Sequence, residues 1–141
     1  MNPIVRNILA GVVGFFIGSV VNIGLINIGM AVVPPPEGVD VSSMEGLREA
    51  MKLFTPKNFI FPFVAHAIGT LAGAFTAAKL AASHSMKFAI GIGVVFLLGG
   101  LTMVFFAGGP AWFIASDLLM AYIPMGYLGG KLAGRKNSVA K

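Results

Sequence analysis

The sequence predicts an all-α polytopic membrane protein, a four-transmembrane-helix bundle with a short amphipathic helix in the outer loop. Three observations lead there. Of the 141 residues, 57% are hydrophobic and 11% are charged, with a mean hydropathy of +0.89. A water-soluble domain carries roughly 25% charged residues to wet its surface. Four apolar stretches are long enough to cross a hydrocarbon core about 30 Å thick. None of them alternates as a barrel strand would, and in hydrocarbon only a helix or a closed barrel satisfies every backbone N–H and C=O. Four spans, one loop and a tail account for the length, so the chain reads as a single membrane domain, 1–141.

The first span covers about 4–33. Near its start Arg6 precedes the apolar run as in a signal sequence, but that run far exceeds an h-region of about 7–15 residues, and the span reads as an uncleaved anchor. Pro34-Pro35-Pro36 cannot continue a helix and end it. At about 1.5 Å per residue this span is longer than the core is thick, so it must tilt, kink or protrude. Its second half carries an echo, Asn22-Ile23-Gly24 and Asn27-Ile28-Gly29. That echo suits an unwound transporter segment or a glycine-rich packing face whose asparagines bridge helices, and the second reading is preferred.

The loop 34–58 contains an amphipathic segment, about 43–54. Ser42 and Glu45 form a capping-box pattern, and Met44, Leu47, Met51 and Phe54 recur on one helical face before Thr55-Pro56 ends it. Such a helix lies along the outer interface, covering the bundle mouth or resting on lipid; simple packing of its apolar face is the preferred reading, and a lid or docking point for a protein partner is the alternative. The second span covers about 59–82, with Phe61-Pro62 in its first turn where proline is tolerated. The third covers about 88–107 and the fourth about 111–133, followed by a basic tail, 134–141.

Charge orients the bundle. Arg6, Lys79, Lys87, Lys131, Arg135, Lys136 and Lys141 fall on the side of the chain ends and the turn 83–87, whereas Arg48, Lys52 and Lys57 fall in the loop beside Glu37, Asp40, Glu45 and Glu49. That asymmetry predicts both ends in the cytoplasm, in a plasma (inner) membrane of the bacterial type. The net charge of +5 is then a topology signal. A nucleic-acid partner is not expected, because the basic residues are spread over helix ends and a tail instead of one folded face.

Glycine marks the expected helix contacts. Gly11, Gly14 and Gly18 on the first span, Gly69 and Gly73 on the second, and Gly126 and Gly130 on the fourth form small-residue stripes that let backbones approach closely. Three such stripes favour a homo-oligomer over a monomer.

The candidate site is a polar layer. Asn22, His66 and Asp117 are each expected slightly to the loop side of the membrane centre. A buried acid there costs about 2.5–3.5 kcal/mol even on the permissive insertion scale, so Asp117 requires a partner, a water-filled cavity or protonation, and His66 is the nearest candidate partner. Thr70, Asn27, Tyr122, Ser116 and Thr102 are candidates to complete the network. Such a layer suits a proton or cation site with Asp117 as carrier and His66 as titrating partner, or a clamp that fixes helix order.

Several chemistries lack their residues. There is no cysteine, hence no disulfide, thiol nucleophile or thiolate metal site. His66 and His84 are expected at opposite faces of the bilayer, so no metal site forms. The glycines lie within apolar helices and not after strands, so no phosphate loop is present. No cofactor and no catalytic constellation are expected. The layout of four short helices in a small basic chain resembles the small multidrug transporters, although the glutamate that family carries on its first helix has no counterpart here. The leading expectation is a small channel or transporter subunit for protons, cations or a small solute. The alternative is a structural or accessory membrane protein that binds lipid or a protein partner through its glycine faces and loop.

Overall fold

Helix formation begins at Asn2, whose side chain accepts a hydrogen bond from the Ile4 amide at 2.8 Å, filling one of the N–H groups that a helix start leaves open. The computed structural model describes residues 1–134. Among these residues the helices are α1 Pro3–Val32, α2 Met44–Met51, α3 Ile60–Leu80, α4 Ser85–Ala107, α5 Ala111–Met120 and α6 Ile123–Leu132, with a 3₁₀ turn at Pro56–Phe59, and there is no strand. Four stretches, Pro3–Val32, Pro56–Leu80, Ser85–Ala107 and Ala111–Leu132, are long and apolar enough to cross a membrane. Arg135, Lys136 and Lys141 lie outside the described residues.

Several boundaries differ from expectation. The stretch 111–133 is two helices, interrupted at Ala121–Tyr122. Pro124 explains the interruption, because its ring has no N–H to donate to the carbonyl four residues back and collides with that carbonyl. Helix α4 begins at Ser85, earlier than 88, immediately after His84 in a left-handed conformation (φ 52°). Ser43 caps α2, accepting from the Gly46 amide at 3.0 Å. The expected cap, Ser42, instead donates its hydroxyl and its amide to Asp40. Thr55 does not follow a helix end; it exchanges hydrogen bonds with Asn58 to start the 3₁₀ turn. Helix α1 is continuous through both Asn-Ile-Gly triplets, so no unwound segment forms there.

The interior is built from small residues. Ala74, Ala77, Ala78, Ala89 and Ala133 are buried around Ile92, while Phe105 is 80% and Leu119 72% exposed. This is the reverse of a soluble core, and it suits a lipid solvent, in which outward phenylalanine and leucine carry no penalty and close packing needs small side chains. Helix α3 lies at the centre, in contact with α1, α4 and α6. A Cβ on Gly14 would stand 2.7 Å from the Gly73 carbonyl oxygen, and one on Gly18 would stand 2.7 Å from that of Gly69. These two pairs bring the α1 and α3 backbones into contact.

Both ends of the bundle are fastened by side chains. Asn7 accepts from the Ala82 amide at 2.7 Å and donates to Ser83 Oγ, while Arg6 Nε donates to the Leu80 carbonyl at 2.8 Å. At the other end Phe59 is buried, with its ring 4.6 Å from that of Phe113, 5.5 Å from Trp112 and 5.6 Å from Phe54. These contacts tie the loop to α3 and α5.

One pH-dependent element follows. Hydrogen bonds from the Ser42 hydroxyl and amide hold the Asp40 carboxyl below the usual carboxylate range. A depressed folded-state value means that the contribution is present above the unfolded value and is lost as pH falls through the folded one. The turn ahead of α2 is therefore expected to keep its order through mild acid and lose it only below the ordinary carboxylate range. In Ser42→Ala the Asp40 titration, followed by NMR, is expected to move upward; an unmoved titration would show that Ser42 does not hold the carboxylate.

Candidate functional site

Helices α3 and α5 deliver the polar groups. His66 and Asp117 each stand six residues inside the loop-side end of their helix, about 9 Å along the axis at 1.5 Å per residue. They meet there. His66 Nδ1 lies 2.8 Å from Asp117 Oδ1 and 3.0 Å from Oδ2. The Tyr122 hydroxyl donates to Asp117 Oδ2 at 2.9 Å, and the Tyr122 ring stacks on the imidazole with centroids 5.7 Å apart.

The interruption of the fourth stretch positions Tyr122. Its backbone passes close to Gly93, where a Cβ would stand 3.0 Å from the Tyr122 carbonyl oxygen, and its hydroxyl lies over Gly100, where a Cβ would stand 2.5 Å away. Seven residues separate these glycines, two helical turns, so both occupy one face of α4. Together they form a seat for the broken segment. Composition alone gave no weight to this pair, although Pro124 in the sequence signals the break.

Asp117 is 4% exposed and Tyr122 2%, while the His66 side chain is 21% exposed. An ionised carboxylate only accepts hydrogen bonds, so Nδ1 carries a proton toward Asp117 when Asp117 is charged. Nε2 has no hydrogen-bond partner among the described residues. The dyad thus has one closed side, held by Tyr122, and one site for a further proton.

The other expected members of the layer do not join. Asn22 packs against Gly69, one turn deeper than His66, and its Oδ1 has no hydrogen-bond partner among the described residues. Thr70, fully buried and one turn from His66 on α3, likewise leaves Oγ1 without one. Asn27 lies on the exposed side of α1. Ser116 and Thr102 donate to the carbonyls of Trp112 and Leu98, each four residues back in its own helix. Helical rotation explains the split, since residues at similar depth face one another only if their helices turn those faces together.

The glycine stripes divide similarly. Gly14, Gly18, Gly69 and Gly73 join α1 to α3, while Gly126 and Gly130 approach α4 at Ala89. Gly11 is not a contact glycine: the nearest atom to a Cβ there is Phe88 Cδ1 at 3.9 Å. Gly129, absent from the expected stripe, approaches the Leu71 carbonyl at 2.8 Å. Among the described residues no group of three or more His, Cys, Asp or Glu side chains converges as a metal site would require. No protein-family model, no curated protein and no solved structure matches this chain.

Proposed function

We propose that the chain is an integral membrane protein, a small channel or transporter subunit for protons, cations or a small solute, in which the His66–Asp117–Tyr122 triad takes up and releases a proton. The observation that carries this reading is a carboxylate only 4% exposed inside an apolar stretch, bonded to a histidine whose second ring nitrogen has no hydrogen-bond partner among the described residues. With a proton on each imidazole nitrogen, the His66–Asp117 pair is neutral; without the second proton it carries −1. A net charge in hydrocarbon is costly, so proton release calls for water or a cation in its place. That exchange is the elementary step of proton-coupled transport.

The proposed role is non-enzymatic, and the proposed orientation places both chain ends in the cytoplasm of a bacterial-type inner membrane. Arg6, Lys79, Lys87 and Lys131 gather at that end with none of the five acidic side chains, four of which lie in the loop 34–58. A four-helix bundle closes on its own small side chains, so transport proceeds through a homo-oligomer or an alternating cavity. A second reading, an accessory membrane protein that presents the loop to a protein partner, is favoured by the way Tyr122 fastens the broken stretch, its ring stacked on His66 of α3 and its carbonyl and hydroxyl seated on Gly93 and Gly100 of α4.

Proteoliposomes under an imposed pH gradient separate the two. Wild type is expected to dissipate the gradient and Asp117→Asn to abolish that flux while remaining folded by circular dichroism. Equal flux in both, or none in either, would overturn the transport reading in favour of the accessory one.

A further inference from the structure

Away from the triad, α1 and α4 face one another across open space at the end of the bundle that carries Asn7 and Lys87. A groove of about 750 Å³ opens between them. Two glycines create it. A Cβ on Gly91 would meet nothing within 4 Å, and one on Gly11 would meet only Phe88 at 3.9 Å. Phe15, Phe88 and Val95 wall the groove, and Lys87 and His84 stand at its mouth.

We infer that this groove binds one acyl chain of an anionic bilayer phospholipid, with the headgroup phosphate at Lys87 and His84. Two observations select that occupant. The first is charge: none of the five acidic side chains lies at this end, so no Asp or Glu competes for the cations at the mouth. The second is length. From Lys87 to Val95 the groove follows α4 for eight residues, about 12 Å at 1.5 Å per residue, close to the roughly 15 Å of one leaflet in a hydrocarbon core of about 30 Å. An apolar slot of leaflet depth under a basic mouth matches a lipid that carries negative charge at the headgroup. The inference rests on the bilayer placement proposed above and is independent of the triad.

The test is native mass spectrometry of the full chain released from micelles doped with phosphatidylglycerol or phosphatidylcholine of identical acyl chains. Wild type is expected to retain phosphatidylglycerol preferentially. Lys87→Ala is expected to reduce that preference about fivefold, the share of one basic residue near a membrane surface. Gly91→Leu, whose side chain enters the open groove, is expected to lose both lipids with a melting temperature no lower than that of wild type, and Gly11→Leu repeats the block from the opposite wall. Equal retention of the two lipids, or retention undiminished by Gly91→Leu and Gly11→Leu, would overturn the site. A change of oligomeric state in Gly91→Leu would overturn it too, by showing that a second copy covers the groove. Alkaline extraction of membranes holding the wild-type chain distinguishes the failures: a chain that washes out overturns bilayer placement and lipid site together, whereas an embedded chain without lipid preference overturns the lipid site alone.

Discussion

Gly18→Leu is expected to part α1 from α3 and to produce a large drop in the melting temperature of the detergent-solubilised protein. A Cβ at this position would stand 2.7 Å from the Gly69 carbonyl oxygen and 2.9 Å from Phe96 Cζ. Overpacking costs about 1–3 kcal/mol when neighbouring side chains can rotate away. Here the first obstacle is backbone, so the whole helix must shift, and the cost is expected at the upper end, about 3 kcal/mol. For a chain of this size that is roughly 10 °C. Gly24→Leu is the control on the same helix: a Cβ there meets nothing within 4 Å, and replacing a helical glycine removes its propensity penalty of about 1 kcal/mol. Gly24→Leu is therefore expected to melt no lower than wild type. If both variants melt like wild type, close α1–α3 contact does not hold the bundle.

Removing the carboxylate is expected to cost about as much. Asp117→Ala deprives a hydroxyl on a side chain only 2% exposed, that of Tyr122, and the Nδ1–H of His66 of their shared acceptor, and breaking a buried pair in this way costs about 3–5 kcal/mol. Asp117→Asn retains an acceptor oxygen in nearly the same shape and is expected to recover most of that loss. The two substitutions thus separate geometry from charge. Tyr122→Phe deletes one hydrogen bond onto the carboxylate, about 1.5–3 kcal/mol, and its effect is expected to shrink sharply in an Asp117→Ala background, because the partner is already gone. Additive losses in that cycle, read by thermal unfolding in detergent, would show that the 2.9 Å contact contributes nothing. Combined with flux, the series distinguishes a stable but silent Asp117→Asn protein, expected of a transport site, from a clamp that matters through stability alone.

Much of this arrangement was legible in the residues themselves. Apolar run lengths located the helical stretches to within a few residues, and the rarity of acids inside them singled out Asp117 before any partner was visible. His66 followed as its nearest candidate. Glycine spacing on the first two spans picked out Gly14, Gly18, Gly69 and Gly73 as contact residues, and the tertiary structure pairs them as Gly14 with Gly73 and Gly18 with Gly69. It also included Gly11, which lines an open groove, because a spacing rule sees a face and not what stands opposite it. The break at Ala121–Tyr122 escaped a reading based on hydropathy, since Tyr122, Ile123 and Pro124 do not interrupt an apolar run although Pro124 interrupts its hydrogen bonds.

What the sequence by itself determined is therefore helix content, apolar character, charge asymmetry and the inventory of polar groups, each a property of local composition or of the helical period. Which groups meet was decided by the tertiary structure. Asn22, Thr70 and Tyr122 are all polar groups on or beside helical segments, yet only Tyr122 reaches the carboxylate, because contact depends on the rotation and relative depth of whole helices. Those are set by backbone approach at a few glycines and by one proline-forced break, and the 3.6-residue period of a helix carries no information about the helix beside it.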